Sequence, residues 1–541
     1  MANVLFVSCN NNIRLVKDPG VLSISSYVQQ YGHTVKHLQF IGKLENILYE
    51  DEFSPDVVGM SAYNDNLKQV FVVAHFFKQN YPHVKICLGG YGATYYYKEI
   101  FDQCPIIDFI VKGEGEETFR QLLDCLNGVG NINEINGLIY KDSLGHIIVN
   151  NDRMPLLNLE LLPYKNNMIE DDFTTVNIYP VYSSRGCLNN CSFRYSHRFF
   201  DPSKKDKWRG MSPTVFVNEL FIVHEKKGVN RFYIGDSSFE DSSVGTSRMI
   251  EIAHLLAERN PFFSFIVNFK SSIYRRISES ELALLKKAGL TGVYLGIEAF
   301  NEEDLKLYKK GVSVEDNNNA LKYFRERDIG VKCGFMNFNP YSDYAKLKNN
   351  ALHLKNNMLL MPYVIIKSLR PYKGTEIYDK IKNDNLFLSN NELDAEKYVF
   401  INKGIEKLFL FLKKLFEDDI NSNDNDFQER VYWYYSGFWQ LVSHYRYLLP
   451  KYGVECDDII DDCCKKIYEV LINDVECYFH WYTELLGMVD TIWNEDNAEK
   501  LVDYYNIKKR SIESFSKCEN IKANMNRRIL RRNLNCAKLL Q

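Results

Sequence analysis

Apolar positions in the first ~135 residues fall into short runs separated by stretches of helical period. VLFVS (4–8) reads as a buried strand, and Val21 to Tyr31 repeats apolar residues at helical spacing until Gly32 closes the run. VKHLQF, DVVGMSAY (56–63), VKICLGG (84–90) and IIDFIVKGEGEE (106–117) read as further strands. A helical run from Leu67 to Gln79 and the helix EETFRQLLDCL complete the alternation. Strands that alternate with helices and end in glycine or polar clusters predict a doubly wound, Rossmann-like parallel sheet. Ligands on such sheets sit outside the carboxyl ends of the strands, where SAYN, GGYGAT and GEGE lie.

Residues 136–175 read as a hairpin, turned by Asp142 to Gly145, and an irregular crossing segment, together a linker between domains 1–135 and 176–388. In the second domain the alternation returns with six strand candidates: TVNIYPVYSS, NRFYIGD, FSFIVNF, GVYLGIE, GVKCGFMNF and PYVIIKSL. Ser212 precedes Pro213 as a helix start, Ser278 and Glu281 fit a capping box, and Gly289 ends that helix. Six βα units predict a partial (β/α)6 barrel rather than a complete eightfold one. From 389 to 541 the pattern becomes long, aromatic-rich helical runs, a helical C-terminal domain burying its aromatics in its own core. A lid over the barrel mouth is the sharper alternative. The closing RRILRRNLNCAKLLQ reads as a solvated basic helix face rather than a nucleic-acid arm.

Composition narrows this picture. A chain of 541 residues exceeds one core and predicts two to four domains. With 45% hydrophobic and 25% charged residues it has the profile of a soluble globular protein. A net charge of −4 gives no reason to expect nucleic acid or a membrane surface as partner. No run approaches the ~20 apolar residues of a membrane span, and MANVLFVSCN lacks the positive region of a signal peptide. The thirteen cysteines are odd in number and include the adjacent Cys463 and Cys464, which implies reduced thiols and a cytoplasmic location.

The ordered segments DVVGMSAYNDN, KICLGGYGATYYYKEI and IDFIVKGEGEETFRQLL resemble the cobalamin-binding domain attached to one branch of the radical S-adenosylmethionine (SAM) superfamily. The resemblance implies that Ser61, Gly89, Gly90, Gly113, Glu114 and Gly115 line the corrin and its nucleotide tail. It implies no histidine ligand to cobalt, leaving the lower face open or approached by the loop Cys9 to Arg14. The second half resembles the same family. YSSRGCLNNCSF is similar to its Cys-x3-Cys-x2-Cys loop, in which three thiolates hold a [4Fe–4S] cluster. On that resemblance Phe193 supports the adenine of SAM, Gly235 and Asp236 in IGDSSF approach its amino group, and Glu298 in GVYLGIEAF holds a polar group. SLRPYKGTEIYDKI resembles the family's closing segment, so the likeness runs over about 1–385.

One residue departs from the pattern. Where the third thiolate belongs, the chain has Arg194, which has no lone pair to offer iron. Four readings stay open: the cluster is gone and Arg194 neutralises a carboxylate there; His197 completes a site with Cys187 and Cys191; the change inactivates an ordinary radical enzyme; or the cysteine pair is structural. Cys333 is a less suited donor and reads as a small buried hydrophobe. The function implied is a cobalamin- and SAM-dependent methyl transfer, or a related rearrangement or cyclisation, of a small-molecule substrate in natural-product biosynthesis. The route is non-radical and polar if Arg194 means that no cluster is held, and a reducing partner is implied if one is. The alternative is a cobalamin carrier or partner protein without catalysis.

Overall fold

The computed structural model describes residues 1–9, 19–40, 53–162, 178–195, 199, 208–240, 246–388, 397–417, 427–489 and 493–532. The chain divides into two compact units. The first comprises Met1–Leu188, Arg194–Gly228 and Ser389–Glu396, and the second Asn189–Phe193, Val229–Leu388 and Lys397–Gln541.

The first unit is built on strands β1 (Asn3–Ser8), β2 (Thr34–Gln39), β3 (Val57–Ser61), β4 (Lys85–Gly89), β5 (Phe109–Val111), β6 (Leu138–Lys141) and β7 (Ile147–Val149). Their order is β2-β1-β3-β4-β5-β6-β7. The first five run parallel and the last two antiparallel. Strand period two explains why helices cover both faces. Leu5, Val7, Val58 and Met60 join a core with Val70, Val73 and Phe77 from the helix Leu67–Asn80. Val4, Phe6 and Val57 join another with Val21 and Val28 from Pro19–Gln29 and Phe119 and Leu122 from Glu116–Leu126. The hairpin expected between the domains forms, but it extends this sheet: Val111 of β5 pairs with Leu138 of β6. The strand order reverses between β1 and β3, which opens a crevice at their carboxyl ends.

Also in the first unit are β8 (Tyr179–Val181), the antiparallel ribbon of β9 (Ser184–Gly186) and β10 (Trp208–Gly210), and the helix Pro213–Lys227. That helix starts at the expected proline, but the Ser212 side chain makes no capping bond. Its backbone N–H donates to Glu160 Oε1 at 2.9 Å instead.

In the second unit β11 (Arg231–Ile234), β12 (Ser264–Lys270), β13 (Leu290–Glu298) and β14 (Gly330–Phe335) pair in parallel in that order. The sixth strand candidate differs. PYVIIKSL forms the short helix Pro362–Ile366, with Pro362 in its first turn, and only Ser368 bridges in parallel to Phe338. Proline has no N–H for a ladder and suits a helix start, so the apolar run alone misled. Along β11 to β14 one row of side chains is apolar and buried: Phe232, Ile234, Phe265, Val267, Phe269, Val293, Leu295, Ile297, Val331 and Cys333. The alternate row is mostly polar and includes Arg231, Tyr233, Asn268, Lys270, Tyr294 and Lys332. The helix Glu279–Ala288 carries the expected Ser278–Glu281 capping box and ends at Gly289, φ +110°.

The C-terminal helices Lys403–Glu417, Phe427–Leu448, Asp457–Val489, Glu495–Tyr505 and Ile507–Arg532 belong to the same unit as these strands. Phe427–Leu448 does not cover the carboxyl ends of the strands, so the lid reading fails for it. Its His444 meets Ser264, the first residue of β12, and Tyr447 donates to the carbonyl of Pro261. A Cβ on Gly330, the first residue of β14, would lie 2.4 Å from Gln440 Cα, and one on Gly292 would lie 2.8 Å from Gln440 Cγ. The helix backbone therefore seats on Gly330 and the Gln440 side chain on Gly292 at the floor of the barrel. Gly330→Ala should force the helix outward and destabilise the chain by about 2 kcal/mol or more, as overpacking does. Urea unfolding checks this, and an unchanged midpoint would contradict the close approach.

Candidate functional site

The first unit gathers its expected residues at the carboxyl ends of β3, β4 and β5. Ser61 closes β3, and its carbonyl accepts from Asn66 Nδ2 at 3.0 Å. Gly90 follows β4 with φ +88°, a conformation that disfavours any side chain. A Cβ there would approach Ala62 O at 3.3 Å, and one on Gly92 would meet the same oxygen at 2.7 Å. Thr94 joins the two glycine loops: its hydroxyl donates to Gly90 O at 2.9 Å and accepts from Gly113 N at 3.1 Å. Gly113 has φ +74°, and Gly115 gives room to Ile24, whose Cδ1 would lie 2.7 Å from a Cβ. Gly89 has no such neighbour closer than 3.9 Å. Sequence reasoning missed Thr94, although a hydroxyl four residues after Gly90 in a short helix was the available signal.

Glu114 lies in this loop but is held by the protein. Its side chain accepts from Arg209 at 2.6 and 3.2 Å and from Leu156 N at 3.1 Å, with Arg185 at 3.4 Å. Glu116, two residues on, accepts from Arg185 Nη2 and from Ser23 Oγ, both at 2.6 Å. These carboxylates are 7% and 6% exposed, so the pairs are protected from solvent. They fasten the GEGE loop to the ribbon β9–β10 that leads into and out of the cysteine loop.

The cysteine loop itself divides between the units, with Cys187 in the first, Cys191 and Phe193 in the second and Arg194 in the first. Cys187 and Cys191 are buried and Arg194 is half-buried. His197 and residues 10–14 lie outside the described residues. Ser192 anchors its part of the loop: its N–H donates to Tyr308 O at 3.0 Å, its hydroxyl to Leu307 O at 2.7 Å, and its carbonyl accepts from Ile377 N at 3.0 Å. Ile377 belongs to the closing segment PYKGTEIY. Phe193 meets the buried Tyr308 ring edge-on at 5.6 Å.

Glu298 ends β13 in the left-handed region, φ +66°, and the pairing of β13 with β14 shifts register between Gly296 and Glu298. Surrounding bonds enforce this. Glu298 O accepts from Met336 N at 2.8 Å, and Asn317 Nδ2 reaches the carbonyls of Ile297 and Ala299, both at 3.0 Å. A non-glycine residue held there stores strain of the kind found where a side chain must be aimed. The Glu298 carboxylate is 7% exposed and faces the Lys310 ammonium, 4% exposed, at 3.4 Å. Gly296 and Gly334 leave space for it, since Cβ atoms there would approach its oxygens at 3.2 and 3.1 Å. Lys270 reaches Asn189 Oδ1 of the cysteine loop at 3.1 Å; burial, then the nearby Lys310 charge, lowers its pKa.

Asp236 is buried after β11, its carbonyl accepting from Asn268 Nδ2 at 2.8 Å, and Gly235 beside it is half-buried. Cys333 lies in the apolar row, buried, its thiol pushed up to about 12 by desolvation. It behaves as a small hydrophobe.

Fold and residues define a doubly wound cofactor-binding domain followed by a partial βα barrel with a charged mouth. Residues 15–123 match the B12 binding domain family and residues 181–349 the Radical SAM superfamily. The chain belongs to the cobalamin-dependent branch of the radical SAM superfamily. It is 27% identical over 386 residues to the uncharacterized methyltransferase PH0819 of Pyrococcus horikoshii, covering 69% of this chain and 80% of that one. It is 25% identical over 332 residues to the anaerobic magnesium-protoporphyrin IX monomethyl ester cyclase of Rubrivivax gelatinosus, covering 58% of each. The fold matches the cobalamin-dependent SAM radical enzyme OxsB with aqua-cobalamin bound at a TM-score of 0.66 and 18% identity, over 96% of this chain and 84% of that one. Among the described residues no helix is long and apolar enough to cross a membrane.

Two of the groups this family uses fit the residues present. The Gly90–Gly92 approach and the Thr94 bridge make a cradle at the carboxyl ends of β3 to β5 suited to cobalamin, and the enforced Glu298 suits a polar group of SAM. A [4Fe–4S] cluster of the three-thiolate kind does not fit, because the donor set is two thiolates and a guanidinium. Among the described residues no group of three or more His, Cys, Asp or Glu is placed to hold a metal ion.

The Glu116–Arg185 pair gives a testable pH dependence. Burial raises the Glu116 pKa, but the Arg185 charge and the bonds from Arg185 and Ser23 outweigh it and hold the carboxyl below its usual 4.5. A carboxyl depressed in the folded state stabilises above its unfolded pKa, and that contribution is lost as pH falls toward the folded value. Stability should therefore drop below about pH 4.5. Glu116→Gln should flatten that slope and destabilise the chain by about 3 kcal/mol at neutral pH. Denaturant midpoints between pH 3 and 7 measure both, and an equal slope in the variant would count against the pair.

Proposed function

We propose that this chain is a methyl-transferring enzyme that uses cobalamin and SAM on a small-molecule substrate, by a polar route. The enforced Glu298, strained and facing Lys310, carries this reading, because a cobalamin carrier has no use for a costly SAM-directed side chain. The relatives support enzyme over carrier: the matched names include methyltransferases, a cyclase and a synthase. A cyclisation or rearrangement on the same scaffold is the neighbouring reaction class.

Ser61, Gly90 and Gly113 would hold cobalamin at the carboxyl ends of β3 to β5, with Gly89 and Gly115 completing the loops. Glu114 acts behind that site as the clasp to Arg209 and Arg185. Phe193, Gly235, Asp236 and Glu298 would hold SAM. Bound cobalamin supplies a cobalt centre that can carry a methyl group. Arg194 contributes a permanent positive charge where the family has a thiolate, and it would neutralise a carboxylate of SAM or of the substrate. Glu298, oriented by its backbone and by Lys310, would hold a polar group of SAM. A reducing partner would be required if His197 completed a cluster with Cys187 and Cys191, and also to bring the cobalt to the cob(I) state that accepts a methyl group. A cytoplasmic location agrees with the reduced cysteines: among the described residues twelve are present and none is in a disulfide.

Calorimetric titration should show binding of both hydroxocobalamin and SAM, with Glu298→Ala losing SAM at least tenfold and keeping cobalamin. Anaerobic reconstitution with iron and sulfide should leave the chain nearly iron-free, while Arg194→Cys gains up to about four irons. About four irons in the unaltered chain would sink the polar route. Absence of SAM binding would sink the enzyme reading.

A further inference from the structure

The floor of the barrel collects buried polar groups that the chemistry at the mouth does not use. Arg231 opens β11 and is the register partner of Ser264 on β12, so their side chains share a face. The Arg231 side chain is buried, and its Nε and Nη2 have no hydrogen-bond partner. Among the described residues no carboxylate forms an ion pair with it. Gln440 and His444 stand one turn apart on Phe427–Leu448 and meet neighbouring strand starts, Gln440 at Gly292 of β13 and Gly330 of β14, His444 at Ser264 of β12. Both Gln440 amide atoms and His444 Nε2 are buried without partners.

Ser264 Oγ lies 2.7 Å from His444 Nδ1 and 3.3 Å from Thr291 Oγ1. In the tautomer where the Ser264 hydroxyl donates to Nδ1, the buried His444 Nε2 carries a hydrogen and is a donor; the proposed site uses that tautomer. Burial, then the Arg231 charge, holds this imidazole neutral by lowering its pKa well below the usual value. The floor thus offers two guanidinium donors, an imidazole donor and an amide donor against one acceptor, Gln440 Oε1. Lys332, on β14 within 3.7 Å of where a Gly437 Cβ would stand, adds another buried cationic group, its pKa brought to about 7 by desolvation and then by Arg231.

We propose that Arg231, Gln440 and His444 form a binding site for a compact oxyanion that retains a proton, of the phosphate type, at the closed end of the barrel. The guanidinium and the imidazole donate to its oxygens, and its remaining O–H donates to Gln440 Oε1. Sulfate matches the charge but has no O–H at neutral pH, so the site prefers phosphate. The ligand locks the C-terminal helix onto the strand starts, away from the cofactor sites.

Thermal unfolding of the full chain at pH 7 tests this with inorganic phosphate, sulfate and chloride at matched ionic strength. The melting temperature should rise with the logarithm of phosphate concentration, as mass action requires, and less with sulfate. Arg231→Gln and Gln440→Leu should each weaken the phosphate dependence at least tenfold; if Arg231→Gln does not fold, Gln440→Leu decides. Phosphate no better than chloride, or an unchanged dependence in Gln440→Leu, would overturn the proposal. Phosphate released from the purified chain by denaturation identifies the resident ligand: free phosphate reacts directly, and a phosphate ester only after digestion.

Discussion

A strand sends successive side chains to opposite faces, and the second unit depends on that period. One row on β11 to β14 is apolar and packs against helices, as where Phe269 stacks on Phe324 at 6.0 Å. The other row then has no need to stabilise the sheet and can carry Arg231, Tyr233, Asn268, Lys270, Tyr294 and Lys332. Stability and chemistry occupy the same strands without competing. Where the polar row must admit something large it becomes glycine: Gly296 and Gly334 beside Glu298 at the mouth, Gly292 and Gly330 under Gln440 at the floor. The first unit has two apolar rows instead, because helices cover both of its faces, so its chemistry moves to the strand ends and their loops.

This division explains what could be read from sequence. Continuous apolar runs and interleaved helical periods were enough for the first sheet, and capping residues placed Glu279–Ala288. PYVIIKSL was as apolar as the true strands, and only the position of Pro362 separated it from them. The hairpin at 138–149 was legible as a hairpin but not as part of the sheet, because edge pairing depends on where β5 lies rather than on the hairpin's residues. The aromatic tail was legible as helices; which face of the barrel they close depends on two glycines far away in the chain.

The sites divide in the same way. Ser61, the glycine loops and Glu298 sit in local motifs, and each motif is a physical demand on a few consecutive residues: positive φ, close backbone approach, a turn at a strand end. Glu116 and Arg185 are 69 residues apart, and Arg231 and His444 more than two hundred, so nothing local in either pair announces the contact. Glu114 shows the same limit: its place in the glycine loop is legible, but the hold that Arg209, Arg185 and Leu156 have on its carboxylate is not.

Arg194 is the residue for which position and chemistry disagree, and its neighbours say which of the two the fold has kept. A loop that had lost its purpose would be expected to lose its anchors, yet Ser192 is still bonded on three sides and Phe193 still meets Tyr308. The loop's position is therefore set by its anchors at Ser192 and Phe193 and does not depend on a third thiolate. A guanidinium differs from a thiolate in being positive, planar and rich in donors, and it suits a carboxylate as well as it fails iron. Within the second unit Lys270, whose ammonium reaches Asn189 of the same loop, brings positive charge to the barrel mouth, where Lys310 is balanced by Glu298. In the proposed role a guanidinium at 194 would bind an anion, and that role asks nothing of the anchors at Ser192 and Phe193 beyond what they already provide.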